Sequence, residues 1–210
     1  MADTTYKICL LPGDGIGPEI IAEAVKVLEA IGQEYGCTFD CEEHLIGGCA
    51  IDATRAAGVK PTALPDETLE AAKASDAVLL AAVGGPKWDG AAPGEARPEQ
   101  GLLAIRKNLG LYLNLRPVRI YDALRDASPL RPEKLEGVDI LIVRELTGGI
   151  YFGAHERTEN VEGAGMNGAK GTFCRDLMDY NEYEIERVVR WAFDAASRRP
   201  RHRVISVDKA

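Results

Sequence analysis

The chain has 210 residues, 46% of them hydrophobic, with 25 Lys and Arg against 33 Asp and Glu, a net charge of −8. That acidic balance argues against a nucleic-acid partner or an anionic membrane surface, both of which select basic faces. The apolar content is enough for a packed core, no apolar run approaches the roughly 18 residues of a membrane span, and the polar start Met1–Lys7 has no signal-peptide pattern.

In chain order, Tyr6–Leu11 is a short apolar run stopped by Pro12-Gly13 and reads as a buried strand. A helix is expected from about Pro18 to Tyr35, with Ile20, Ala24, Val27, Leu28 and Ile31 at helical spacing and Gly36 as its stop. Thr38 to Ile46 reads as a second strand, broken by Gly47-Gly48. Asp66 is expected to cap a helix reaching Ser75, and Ala77–Val83 is a further buried strand ended by Gly84-Gly85-Pro86.

Residues 84–98 form a Gly- and Pro-rich loop, followed by a helix from about Glu99 to Leu109. Leu113 to Ile120 reads as extended, Val138 to Arg144 as an aliphatic strand, and Ile150 to Thr158 as an alternating strand. Residues 159–172 carry four glycines and little apolar period, so they read as a long arm or loop. Asn181 with Glu184 forms a capping-box pattern ahead of a stripe of Ile185, Val188, Val189, Ala192, Phe193 and Ala196. Val204–Val207 reads as a last strand. This alternation predicts an α/β protein with a largely parallel core sheet and flanking helices.

The five cysteines, Cys9, Cys37, Cys41, Cys49 and Cys174, are odd in number and contain no CxxC pair. Cys37 and Cys41 would share one face of a strand, and His44 completes a zinc set poorly; reduced thiols of a cytoplasmic protein are the expectation. His44, His155 and His202 are scattered and form no nucleophile arrangement.

Ligands of open α/β sheets sit at the carboxyl ends of strands, and the unusual residues fall there. Gly13-Asp14-Gly15-Ile16-Gly17 follows the first strand, but Pro18 occupies the third-glycine position of a dinucleotide fingerprint, so by spacing the segment is a strand-to-helix turn. Gly84–Trp88, Arg144-Glu145 and Asp208-Lys209 close three other strands. Arg106, Arg116 and Arg144 are candidates for binding carboxylates, since guanidinium matches carboxylate bidentately. On periodicity alone Arg106 equally fits a solvated helix face and Arg116 a sheet edge. A guanidinium at the end of a buried strand, as Arg144 would be, needs a partner. Tyr151 and Lys209 are candidates for proton transfer, although strand packing and a frayed chain end account for them as well.

Five segments in order are similar to one family: Leu11–Glu19, Val83–Asp89, Asn114–Pro117, Val143–Gly153 and Ser206–Ala210. Together they resemble the 3-isopropylmalate dehydrogenases, β-decarboxylating dehydrogenases of leucine biosynthesis, over the whole chain. The resemblance implies an NAD-dependent oxidative decarboxylation assisted by Mg2+ or Mn2+. It implies substrate binding by Arg106, Arg116 and Arg144, with Leu102 packing on the isopropyl group. Tyr151 would be the acid that protonates the enol, and Lys209 the lysine that helps deprotonate the 2-hydroxyl in the partner subunit's site. Gly85, Pro86, Lys87, Trp88 and Glu99 would line the nicotinamide.

It further implies a homodimer clasped by the 159–172 arm, and two domains, 1–115 on the cofactor side and 116–210 on the substrate and dimerisation side. Family chains continue past the Asp-Lys-Ala motif, so the metal ligands are expected beyond Ala210, none in this chain, and the 210-residue chain is expected to be incomplete at its C-terminus, with a partly uncovered sheet and little activity alone. Two other readings stay open: a non-catalytic truncated subunit, and a β-decarboxylating dehydrogenase acting on isocitrate, tartrate or homoisocitrate. The choice between NAD and NADP is not carried by these residues.

Overall fold

The computed structural model describes residues 4–90, 92 and 94–207. The chain divides into two compact units, Met1–Leu109 and Gly110–Ala210.

The first unit is built on a three-stranded parallel sheet in the order β2-β1-β3, from β1 (Thr4–Gly13), β2 (Cys37–Glu43) and β3 (Ala77–Ala82). The central strand alternates between two cores, as a strand of period two must when both faces are covered. Ile8 and Leu10 pack with Ile21 of α1 (Gly17–Tyr35), while Cys9 and Leu11 pack with Ile46, Ala72 of α3 (Asp66–Ala74) and Ile105 of α4 (Pro98–Asn108). Burying each of the isoleucine and leucine side chains contributes roughly 1.5–3 kcal/mol.

In α1 the inward face is Ile21, Val25, Leu28 and Gly32, whereas Ile20, Val27 and Ile31 are exposed. The face turns because Gly32 lies against the Cys37 carbonyl, where a Cβ would come within 2.7 Å of the oxygen. The second strand stops at Glu43, and an unexpected helix, α2 (Gly48–Ala56), follows the Gly47 break. Asp66 is the first helical residue of α3, and Pro65 holds the cap position without a side-chain bond.

In the second unit β4 (Leu113–Arg119) and β5 (Asp139–Glu145) pair antiparallel, so the strands of the chain are mixed, parallel in the first unit and antiparallel in the second. The helix α5 (Glu182–Ser197) packs on β5 and starts with the expected capping box: the Asn181 amide donates to Glu184 at 2.8 Å. Its inward stripe is Glu184, Arg187, Val188, Trp191 and Ala196; Ile185, Val189 and Phe193 are exposed, because the apolar arc is wider than one two-stranded ribbon covers. The ribbon face away from α5 carries exposed Val118, Ile140 and Ile142.

The segment expected as a strand from Ile150 begins with a turn, and only His155–Val161 is strand β6. It pairs antiparallel with β7 (Gly171–Asp176), so the 159–172 arm holds the tip of a β-hairpin with the ends of its two strands. Both legs are largely exposed, and their apolar side chains are only Val161, Phe173 and Cys174 among the described residues, too few to mark a half-buried strand. Val204–Val207 is not a strand among the described residues, and Val207 is 89% exposed.

Candidate functional site

In the first unit the site elements meet around a carboxylate that sequence reasoning gave no role. Asp14, 3% exposed, follows β1. Its Oδ2 accepts the amides of Gly48 at 2.7 Å and Gly84 at 2.8 Å, and its Oδ1 accepts the amide of Cys49 at 2.7 Å. Gly48 and Cys49 are the first residues of α2, whose N-terminal N–H groups otherwise lack partners. One side chain therefore ties the ends of β1 and β3 to the start of α2. Gly13 makes the approach possible: its φ is +69° and a Cβ would overlap the Ala82 carbonyl oxygen.

The candidate cofactor loop is fixed to α2 a second time. Asp52 accepts Lys87 Nζ at 2.5 Å and Trp88 Nε1 at 3.5 Å, and the Lys87 hydrogen bond holds the Asp52 carboxyl below its ordinary range. The Trp88 indole lies on the first turn of α2, where only a glycine at position 48 leaves room for it. Lys87 Nζ lies 5.3 Å from the Trp88 ring centroid. Gly84, at φ +98°, sits so close to Glu99 that a Cβ would be 2.9 Å from its Oε1. Gly85 and Pro86 continue the loop between them. This strip of bare glycine backbone lies between an indole and a carboxylate.

Helix α4 sets three candidates on one stripe. Glu99, Leu102 and Arg106 are spaced by three and four residues, the repeat of a helix face. Gly101 and Ile105, one position back, turn into the core. A cleft of about 850 Å3 in this unit, lined by Arg55, Lys60, Asp66, Glu95 and Gln100 among others, does not include the 84–88 loop.

In the second unit, Arg116 pairs with Ile142 and Arg144 with Asn114, so both arginines stand on the same ribbon face as diagonal neighbours. Such diagonals lie roughly 7–8 Å apart, within reach of long side chains. Arg116 Nε donates to Asn114 Oδ1 at 2.9 Å, and the Arg144 guanidinium lies 5.5 Å from the ring centroid of Tyr151. Arg144 was expected at a buried strand end; it is exposed, and the Tyr151 ring is its neighbour. Two cations and a phenol on one exposed face can take a dicarboxylate and offer it a proton.

Glu145 points to the opposite face, toward α5. Its carboxylate accepts the Thr147 amide at 2.9 Å, the Thr147 hydroxyl at 2.7 Å and the Gly148 amide at 2.8 Å. Burial pushes this carboxyl up, but the hydrogen bonds from Thr147 and Gly148 outweigh it and hold it below its ordinary value.

Lys209, with Asp208, lies outside the described residues. Among the described residues no three His, Cys, Asp or Glu side chains group to hold a metal ion, and no helix is long and apolar enough to cross a membrane. The five cysteines are free. Sequence reasoning missed Asp14, Asp52 and Arg187. The signal for Asp14 lay in its place between two glycines of the first motif; nothing local marked the other two.

Residues 7–210 match the family model described as isocitrate/isopropylmalate dehydrogenase. The chain is 54% identical over 205 residues to a 3-isopropylmalate dehydrogenase of Moorella thermoacetica, covering 98% of this chain and 53% of that protein. It is 57% identical over 204 residues to that of Shouchella clausii, covering 97% and 52%. Among solved structures, a β-decarboxylating dehydrogenase from Thermococcus kodakarensis in its apo form superposes with a TM-score of 0.56 at 33% identity, over 91% of this chain and 46% of that one. An isocitrate dehydrogenase from Methylococcus capsulatus gives 0.63 at 28%, over 92% and 48%. The chain thus spans about half the length of the curated relatives it matches. With the family model covering all but the first six residues, the chain belongs to the isocitrate/isopropylmalate dehydrogenase family.

Proposed function

We propose that the protein catalyses the NAD-dependent oxidative decarboxylation of 3-isopropylmalate to 4-methyl-2-oxopentanoate, as a cytoplasmic homodimer serving leucine biosynthesis. The observation that carries this reading is the α4 stripe, where an apolar Leu102 stands between Glu99 and Arg106. A substrate that offers a carboxylate, then a branched alkyl group, then a cofactor edge suits that order. An isocitrate-type substrate carries a third carboxylate where Leu102 would exclude it, because a carboxylate against a leucine loses hydration without gaining a partner.

Bound NAD supplies the hydride acceptor. The chain's own residues align and protonate. Arg116 and Arg144, on one face, grip the malate carboxylates. Glu99 and the Gly84–Trp88 loop, which meet at Gly84, would lie along the nicotinamide. Loss of the C2 hydroxyl proton and the C2 hydride leaves a 2-keto acid. The carboxylate on C3 then departs as CO2, and its bonding pair forms the enolate. Tyr151 Oη delivers the proton that returns to C3, and the phenolate stays beside the Arg144 cation. A divalent Mg2+ or Mn2+ belongs to the same reading, with ligands outside the described residues. Lys209 would take the hydroxyl proton in a partner's site, and the β6–β7 hairpin is the element offered to that partner.

The test is NADH formation by the native protein with Mg2+ and, separately, 3-isopropylmalate, isocitrate and tartrate. Isopropylmalate is expected to give the highest kcat/KM. Faster turnover of either other acid, or none of isopropylmalate, overturns the reading.

A further inference from the structure

We propose that Glu145 and Arg187 are positioning residues for Tyr151: the carboxylate, backed by the guanidinium, fixes the Thr147–Gly148 turn and through it the place of the phenol over Arg144. The catalytic consequence rests on the dehydrogenase reading above; the geometric claim does not.

Tyr151 is 59% exposed, so its own packing does little to hold it. Its position comes from the turn it stands on. That turn is anchored at its start by Glu145, which is 15% exposed at the side chain and receives three hydrogen-bond donors from Thr147 and Gly148. Charge-assisted bonds of this kind are about twice as strong as neutral ones. The turn continues through the Gly149 amide, which donates to the Asp179 carbonyl at 2.8 Å. The amides of Phe152 and Gly153 then return to the Gly149 carbonyl at 3.1 and 2.9 Å, closing the loop around Tyr151.

Arg187 comes up from α5 beneath this anchor. Its Nη2 reaches the Thr147 hydroxyl and lies 3.5 Å from Glu145 Oε1. Its guanidinium is held between the rings of Tyr112, at 4.4 Å, and Tyr183, at 5.1 Å. The Nε is buried without a hydrogen-bond partner, so stacking and the Thr147–Glu145 end set the orientation. Because neighbouring residues of a strand face opposite ways, the end of β5 sends Arg144 to the substrate face and Glu145 to the supporting one. One strand end thus fixes both the cation and the turn that brings the phenol to it.

The test compares Glu145→Gln, Glu145→Asp and Arg187→Lys in the native protein, with two readouts. The first is steady-state kinetics on 3-isopropylmalate. The second is 19F NMR of fluorotyrosine-labelled protein, with the Tyr151 line assigned by Tyr151→Phe. Glu145→Gln turns an amide NH2 toward donors that need an acceptor, and is expected to lower kcat about 10- to 100-fold with KM within about twofold. The Tyr151 line is expected to shift or broaden while those of Tyr6 and Tyr35 stay in place. Glu145→Asp should restore part of both, and Arg187→Lys should act in the same direction more weakly. Wild-type kcat with an unmoved Tyr151 line in Glu145→Gln overturns the proposal. So does a change of all tyrosine lines together, which would mark a general loss of structure. If the wild type fails to turn over isopropylmalate, the dehydrogenase reading falls alone, and the Tyr151 line still decides the positioning claim.

Discussion

Asp14 and Gly84, seventy residues apart in sequence, are joined by a 2.8 Å hydrogen bond from the Gly84 amide to the buried Asp14 carboxylate. The same carboxylate holds the first two amides of α2. Asp14→Ala leaves three N–H groups without acceptors. At 1–3 kcal/mol for each donor stranded from water, the loss is about 3 kcal/mol or more. Asp14→Asn keeps one oxygen acceptor and is expected to cost roughly half as much. Urea unfolding followed by Trp fluorescence reads the midpoint shift, and it also reports Trp88, which lies on the α2 turn that Asp14 caps. An Asp14→Ala midpoint within error of the wild type would show that these bonds contribute nothing.

The glycines of the first motif separate two physical demands. Gly15 has φ +58° but open space around its Cα, whereas a Cβ on Gly17 would overlap the Pro12 carbonyl oxygen. Gly15→Ala is therefore expected to cost only the left-handed strain, about 1 kcal/mol. Gly17→Ala has to displace backbone at the β1–α1 junction and should cost well over 2 kcal/mol, or prevent folding. Comparing the denaturant midpoints of the two variants checks this; equal losses would refute it.

How much of this was legible depended on where the determining contact lies in sequence. The strands β1 and β3 were readable because an apolar run bounded by Gly and Pro is a local signal. The capping box at Asn181 is equally local. Helix α2 was not readable, because its cap comes from Asp14, 34 residues upstream of Gly48. The inward face of α1 differs from the expected stripe because it includes a glycine, Gly32, set close to the Cys37 carbonyl, and a count of apolar residues discards glycines. Of the hairpin of residues 155–176 only the start of β6 was expected, because its largely polar, exposed legs carry little apolar period. Arg116 and Arg144 were singled out by residue type, but their shared face follows only from the β4–β5 register. The supporting roles of Glu145 and Arg187 depend on contacts across 42 residues of chain, and no pattern in either segment encodes them.

Cys9, fully buried in the core of the first unit, has its thiol pushed up to about 11, chiefly by burial and secondarily by the Glu42 carboxylate. Only the thiolate attacks electrophiles. Cys9 should therefore resist iodoacetamide at pH 8.5, while exposed Cys174 reacts readily. The sign of the linkage follows from the raised value. The native state holds the proton more tightly, so this contribution to stability is complete below the ordinary thiol value of 9.0 and is lost as pH rises toward about 11. Mass mapping of labelled peptides after timed exposure at pH 8.5 gives the order of reaction. Labelling of Cys9 as fast as Cys174 in folded protein would contradict the burial seen here.

Leu102 offers the sharpest test of substrate choice, because it stands between two charged residues on the α4 stripe and is itself only half-buried. If it packs on the isopropyl group, Leu102→Ala removes apolar contact from that group alone. Full burial of such a side chain contributes roughly 1.5–3 kcal/mol. Losing most of that contact lowers kcat/KM for isopropylmalate by about ten- to a hundredfold. Malate carries the same two carboxylates and hydroxyl without the alkyl branch, so its turnover, however slow, should change less than threefold. The ratio of the two effects isolates the alkyl contact from any general disturbance of α4, since a tilted helix would also move Arg106 and reduce both substrates. An equal fall for malate and isopropylmalate would therefore assign Leu102 to packing of the helix and remove it from substrate recognition.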